Sequence, residues 1–168
     1  MDLVASALMR MQTPGFDSGA MDLQRYAGTW YEVASYKRGI NSFGQTGCRN
    51  TKGVYTYHAP NRLDVSTSCL HKNGRVSGID GHVVCSKGKT CQLTFPTIPF
   101  FPPQEYEVLK TDYENFAVVS GSSSGNFIQV YSRRPHLDVS SAFHVSDFLR
   151  GSGINTDLLE ITSQDTRD

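Results

Sequence analysis

The chain has 168 residues, enough for one domain around one sizeable core and too few for two. Its 16 basic and 16 acidic residues cancel, which argues against nucleic acid or an anionic membrane surface as the main partner. No run approaches the about 20 apolar residues that span a bilayer.

At the N-terminus, Leu3–Met11 is mildly apolar but short, and it lacks a small-residue cleavage pattern. It is not read as a signal peptide, and any targeting piece of an exported or imported form is expected to be gone. Residues 1–21, with Pro14 and no sustained period, are expected to form an extended arm. Asp22-Leu-Gln-Arg-Tyr26 reads as one helical turn capped by Asp22. Gly28 then leads into an alternating stretch, Thr29–Tyr36. Trp30, Glu32, Ala34 and Tyr36 share one face; Tyr31, Val33 and Ser35 share the other. Period two with aromatic and β-branched residues predicts a strand. The polar Glu32 in the tryptophan's series points to a lined cavity rather than a plain core.

Lys37–Asn50 is a long, glycine-containing connection with Ile40 and Phe43 as apolar points, and loops this long usually serve function. Gly53–His58 and Arg62–Cys69 are the next strands, joined by the turn chemistry of Ala59-Pro60-Asn61. Antiparallel pairing about that turn sets residue 48 or 49 opposite 69 or 70. Cys48 and Cys69 are then within disulfide reach at the hairpin's open end. After the turn at His71–Gly74, Arg75–Val84 is a strand bent by Gly78 and Gly81. Cys85–Cys91 is symmetric about Gly88, so a hairpin there places Cys85 opposite Cys91. Gln92–Phe95 is a short strand. Pro96–Pro103 carries four prolines and cannot be a central strand. It is an extended loop presenting Ile98, Phe100 and Phe101.

Three strands follow in quick succession: Glu105–Lys110, Asn115–Ser120 and Phe127–Ser132. Beyond Pro135 the period changes. Val139, Ala142, Phe143, Ser146, Phe148 and Leu149 recur at helical spacing through Arg150, with Gly151 as the stop. Asn155–Leu159 reads as a further turn capped by Asn155. The domain is therefore 22–161, followed by a polar tail, 162–168, expected to fray.

The four cysteines are even in number and confined to the middle of the chain, which favours two disulfides and an oxidising compartment. Zinc is the rival, but C-x2-C and H-x3-H are both missing. Asn-x-Ser/Thr is missing too, which disfavours a glycosylated secretory protein. Eight strands with short links and one late helix predict an all-β fold: an eight-stranded antiparallel up-and-down barrel with a C-terminal α-helix packed outside. Such a barrel can hold one small ligand and leaves no exposed sheet edge.

Three separated pieces carry a family resemblance. Gly28-Thr29-Trp30 on the first strand, Thr111-Asp112-Tyr113 between the sixth and seventh, and Arg133 after the eighth resemble the three lipocalin motifs, in order and in place. The resemblance covers about Leu23 to Ile161 and is closest to the group of apolipoprotein D and the bacterial lipocalins. Within it, Cys91–Phe100, Thr111–Asn115 and Phe127–Arg133 are most similar to plastid lipocalins, which act in the thylakoid lumen and are linked to protection against light and oxidative stress.

The resemblance implies that Trp30 closes the barrel's bottom and that Arg133 packs over its indole. Asp112 and Tyr113 are expected to fix the corner after Thr111. Ligand contacts must then come from inward positions above that floor. With Arg133 marking the inner parity of its strand, Tyr131, Gln129 and Phe127 line the cavity, and Glu32 and Tyr36 follow by the same rule. On the second strand either Tyr55 and Tyr57 or Val54, Thr56 and His58 face inward, with the tyrosines preferred. Tyr106, Val108, Phe116 and Val118 complete the wall, and Phe43, Ile98, Phe100 and Phe101 form the rim. An aromatic pocket with a few polar groups suits a lipophilic molecule with one polar end, such as a fatty acid, lipid peroxide, carotenoid or other isoprenoid. No cofactor is required beyond a bound lipid or pigment.

No catalytic set is expected: the five histidines are scattered, and the glycines at 121–125 lack the lysine of a phosphate cradle. Two other readings stay open. One is a subunit docked on a membrane complex, such as a photosynthetic one, through Pro96–Pro103 and the N-terminal arm. The other is an enzyme acting on a xanthophyll or a peroxide, with Glu32 and Tyr131 as candidates. The expected compartment is the thylakoid lumen, with secretion or a periplasm as the alternative.

Overall fold

The computed structural model describes residues 21–37, 48–87, 90–121 and 127–165. A short helix α1 (Leu23–Tyr26) precedes strands β1 (Gly28–Lys37), β2 (Arg49–His58), β3 (Arg62–Leu70), β4 (Val76–Lys87), β5 (Thr90–Thr94), β6 (Gln104–Thr111), β7 (Phe116–Gly121) and β8 (Phe127–Ser132). Helix α2 (Val139–Gly151), a 3-10 turn at Thr156–Leu158 and strand β9 (Glu160–Ile161) follow. From β1 to β8 each strand pairs antiparallel with the next, and β1 also pairs with β8, which closes the sheet into a barrel; β9 pairs with β1.

The hairpin register follows from the turn at 59–61: His58 pairs with Arg62 and Tyr55 with Val65. Alternation along β2 puts Thr51, Gly53 and Tyr55 inside and Lys52, Val54 and Thr56 outside. Both expected disulfides are present, Cys48–Cys69 and Cys85–Cys91.

Apolar burial divides in two. The barrel interior holds Tyr26, Trp30, Tyr55, Leu63, Val65, Val83, Tyr106, Val108, Ala117, Val119, Phe127 and Tyr131. A second cluster lies between the wall and α2: Ala34, Phe116, Val118, Ile128, Val130, Val145 and Leu149. Asp138 caps α2 by accepting from the Ser141 backbone N–H at 2.8 Å. The face turned to the wall is Ser141, Val145 and Leu149. Val139 and Phe143, expected on that stripe, stand exposed.

The segment 162–165, expected to fray, is instead bound into the barrel's seam. β1 pairs with β2 only from Gly28 to Tyr31 and with β9 at Ala34 and Ser35. Where β1 and β2 part, the tail bridges them. Thr162 N–H donates to Val33 O at 3.0 Å, and Asn50 N–H donates to Ser163 O at 2.8 Å. The Gln164 side-chain amide donates to Glu32 O and Thr51 O at 2.8 and 2.9 Å. Backbone groups left open by strand divergence are satisfied this way.

Candidate ligand site inside the barrel

The floor is built around Trp30, which is fully buried. Its indole N–H donates to Tyr26 O at 2.8 Å. Below it, the Arg133 guanidinium carbon lies 3.7 Å from the ring centroid. The same guanidinium donates to carbonyls of Tyr113, Thr29, Arg25 and Tyr26 at 2.9, 3.1, 2.8 and 3.3 Å. Burial lowers the pKa of Arg133, but an arginine keeps its proton.

Gly28 makes room for this: its φ is +108°, and a methyl there would lie 2.9 Å from the Arg133 Nη1. The Asp112 carboxylate accepts from the backbone N–H groups of Glu114, Asn115 and Phe116 at 3.2, 2.8 and 3.0 Å. The Thr111 hydroxyl donates to Phe116 O at 2.6 Å. Tyr113 receives the Asp22 N–H on its hydroxyl at 3.1 Å and lies under Arg25.

Above the floor the wall carries a layer of phenols. Tyr26 and Tyr106 share a hydrogen bond of 2.7 Å, and Tyr106 and Tyr55 one of 3.1 Å. Tyr55 is also bonded to Tyr131. All four rings are buried. Burial raises the pKa of each phenol above the usual 10, well above it for Tyr26, Tyr106 and Tyr131. The Glu32 carboxylate beside Tyr55 and Tyr131 adds to the rise.

Glu32 itself is 3% exposed. One of its oxygens accepts from the Gln129 amide and the other from the Thr162 hydroxyl, both at 2.8 Å. β1 and β8 set the heights: Glu32 is level with Tyr131, Ser35 with half-buried Gln129, and Lys37 with Phe127 at the mouth. The interior therefore runs from a cation-backed aromatic floor, through a ring of hydroxyls with one carboxylate, to half-buried Gln129 and, at the mouth, buried Phe127.

The expected inward set is largely assembled here. Glu32, Tyr55, Tyr57, Tyr106, Val108, Phe127, Gln129 and Tyr131 lie on or beside the inner wall, and the tyrosine alternative on β2 is the one found. Three residues are not on it. Tyr36 packs in the helix-side cluster, because an irregularity between Glu32 and Ala34 shifts the register and reverses the parity of β1. Phe116 and Val118 also face α2; Ala117 and Val119 are the inward pair. At the rim, Ile98 and Phe101 are partly buried, with Phe101 packed edge-on against Phe95. Phe100 is wholly exposed. Phe43 lies outside the described residues.

Sequence reasoning missed Tyr26, Leu63, Val65 and Val83 as lining residues, and Thr162 as the partner of Glu32. Plain alternation on β3, Leu63 and Val65 against Arg62 and Asp64, carried the signal for two of them.

A family model described as "Lipocalin-like domain" matches residues 21–164. The chain is 36% identical over 181 residues to "Chloroplastic lipocalin" of Arabidopsis thaliana, covering 96% of this chain and 51% of that protein, so it spans about half of that relative's length. It is 25% identical over 150 residues to mouse apolipoprotein D, covering 85% of this chain and 77% of that one. Among solved structures, lobster apocrustacyanin A1 superposes with a TM-score of 0.70 at 17% identity, covering 98% of this chain and 88% of that one. Insecticyanin from the tobacco hornworm gives 0.71 at 19%, covering 93% and 89%. These two share the fold. With its closed barrel, its Trp30–Arg133 floor and a family match over most of its length, the chain belongs to the lipocalin family.

Proposed function

We propose that the barrel binds and carries a small hydrophobic molecule whose polar end is neutral, an alcohol, ketone or hydroperoxide rather than a carboxylate. The observation that carries this is the phenol layer of Tyr26, Tyr106, Tyr55 and Tyr131 set beside Glu32 in an otherwise apolar interior. Phenols donate to and accept from a neutral oxygen equally well. A second carboxylate beside Glu32 in a low-dielectric wall is repelled. Hydroxylated isoprenoids, carotenoids and lipid peroxides fit; fatty-acid anions fit less well.

The likeness to a chloroplastic lipocalin supports a plastid setting, and the two disulfides support an oxidising one. The thylakoid lumen meets both, and protection against light or oxidation is the role such cargo serves there.

The test uses a matched pair, retinol and retinoate, which differ only at the polar end. Quenching of the lone tryptophan reports binding. The alcohol is expected to bind at least about tenfold more tightly, about 1.4 kcal/mol, and Glu32→Gln to narrow the gap. Equal binding or a preference for the acid overturns the reading. Native mass spectrometry of the protein from its own source then names the cargo. A second reading rests on Phe100, wholly exposed at the tip of the proline loop: docking of the barrel on a membrane complex, which co-migration after mild extraction would reveal.

A further inference from the structure

The Cys48–Cys69 disulfide sits at the rim, where it ties the segment leading into β2 to the end of β3, and it has two polar neighbours outside the ligand-lining set. His71 begins the β3–β4 turn. Its Nδ1 and Nε2 lie 3.6 and 3.7 Å from the Cys48 Sγ, and its Nε2 lies 2.6 Å from the Ser77 hydroxyl. That hydroxyl lies 3.6 Å from the Cys69 Sγ. The sulfurs and the imidazole nitrogen all fall within 4.8 Å of one another.

We propose that this rim is a redox-gated metal site: oxidised, it is a disulfide; reduced, Cys48, Cys69 and His71 take up one thiophilic divalent ion of the zinc class. A tetrahedral ion bonded to nitrogen at about 2.0 Å and to sulfur at about 2.3 Å holds those two atoms about 3.5 Å apart. The Nδ1–Cys48 Sγ separation matches that edge in length, and a turn of the imidazole, whose Nε2 is now nearly as close to the sulfur, aims Nδ1 at the ion. The sulfurs must part to about 3.8 Å in such a site, which a Cα–Cα distance of 5.5 Å permits by side-chain rotation.

Ser77 supplies the outer shell. With metal on Nδ1, the Nε2–H donates to the Ser77 oxygen, and the Ser77 O–H points to the Cys69 sulfur. This fixes the tautomer and one thiolate together. Three protein ligands leave a fourth position open to water or to an anion.

The electron balance is simple. A dithiol reductant attacks one sulfur, the S–S bond breaks, and two electrons pass to the cysteines while the reductant leaves as its own disulfide. The two resulting thiols release their protons to solvent as the metal binds.

The test takes the full chain, reduced with dithiothreitol and desalted anaerobically, and titrates it with cobalt(II) chloride and then zinc chloride. The expected result is one equivalent of cobalt with thiolate-to-metal charge-transfer bands and tetrahedral d–d bands, displaced by zinc and missing in the oxidised chain. His71→Ala should weaken binding at least about tenfold, and Ser77→Ala by about 10- to 100-fold. A Cys85→Ser, Cys91→Ser variant should keep the spectrum, which assigns it to the rim. The proposal is overturned if the reduced chain shows no charge-transfer band, if circular dichroism shows that reduction unfolds it, or if Cys48→Ser binds cobalt as the native chain does.

Discussion

Arg133 lies face-on beneath Trp30, 3.7 Å from guanidinium carbon to ring centroid, and is held there by carbonyls from α1, from β1 and from the β6–β7 corner. One side chain thereby joins three segments distant in sequence. Replacement by alanine removes a cation–π contact of about 0.5–2 kcal/mol and several charged hydrogen bonds. Arg133→Ala should lower stability by about 3 kcal/mol, read as a drop in the urea midpoint. Lysine keeps the charge but not the planar fork, so Arg133→Lys should recover less than half of the loss.

The buried phenols set the alkaline limit of the fold. Their folded pKa values are raised by burial, while unfolded tyrosine ionises near 10. Above about pH 10 the unfolded chain releases protons that the folded chain retains, so stability is intact below that pH and falls as pH rises. Of the eight tyrosines, Tyr26, Tyr55, Tyr106 and Tyr131 should show no tyrosinate absorbance until circular dichroism reports unfolding. A smooth titration of all eight in folded protein would contradict this.

Tyr106 stands between two other phenols, at 2.7 Å from Tyr26 and 3.1 Å from Tyr55. Tyr106→Phe keeps the ring and strips both neighbours of a partner, so it should cost about 1–3 kcal/mol. Tyr31→Phe, at a half-buried position on the opposite face of β1, should cost under about 0.5 kcal/mol. Thermal unfolding of the two variants side by side measures the difference.

Gly121 and Phe127 are paired across β7 and β8, and a methyl on Gly121 would overlap the Phe127 ring. Gly121→Ala must displace that ring and should cost about 1–3 kcal/mol. In a Phe127→Ala background the same change should cost about 1 kcal/mol less or better, a coupling that a double-mutant cycle reads directly.

Much of this site was legible because period two is a strong signal wherever one face is polar. On β2, Lys52, Val54 and Thr56 alternate with the inward residues, and the tyrosines fell on the correct side. The same rule misplaced Phe116 and Val118 on β7, where all six residues are buried. A strand covered by the barrel core on one side and α2 on the other carries no alternation to read. On β1 the alternation is visible but broken at Val33, where a register shift leaves no mark in residue type. Thr162 could not be paired with Glu32 from sequence: the contact spans 130 residues and depends on where β1 and β2 diverge.

That divergence makes the closure of the wall depend on residues well beyond the eighth strand. Strands β1 to β8 curl into a staved cylinder whose first and last staves meet, and among the described residues the gap beside the upper half of β1 is filled by 160–165. A chain cut after Leu159 should leave that gap open, because the groups that fill it come from beyond the cut. Glu32 then loses the Thr162 hydroxyl, and the barrel wall beside it is open to solvent from the side.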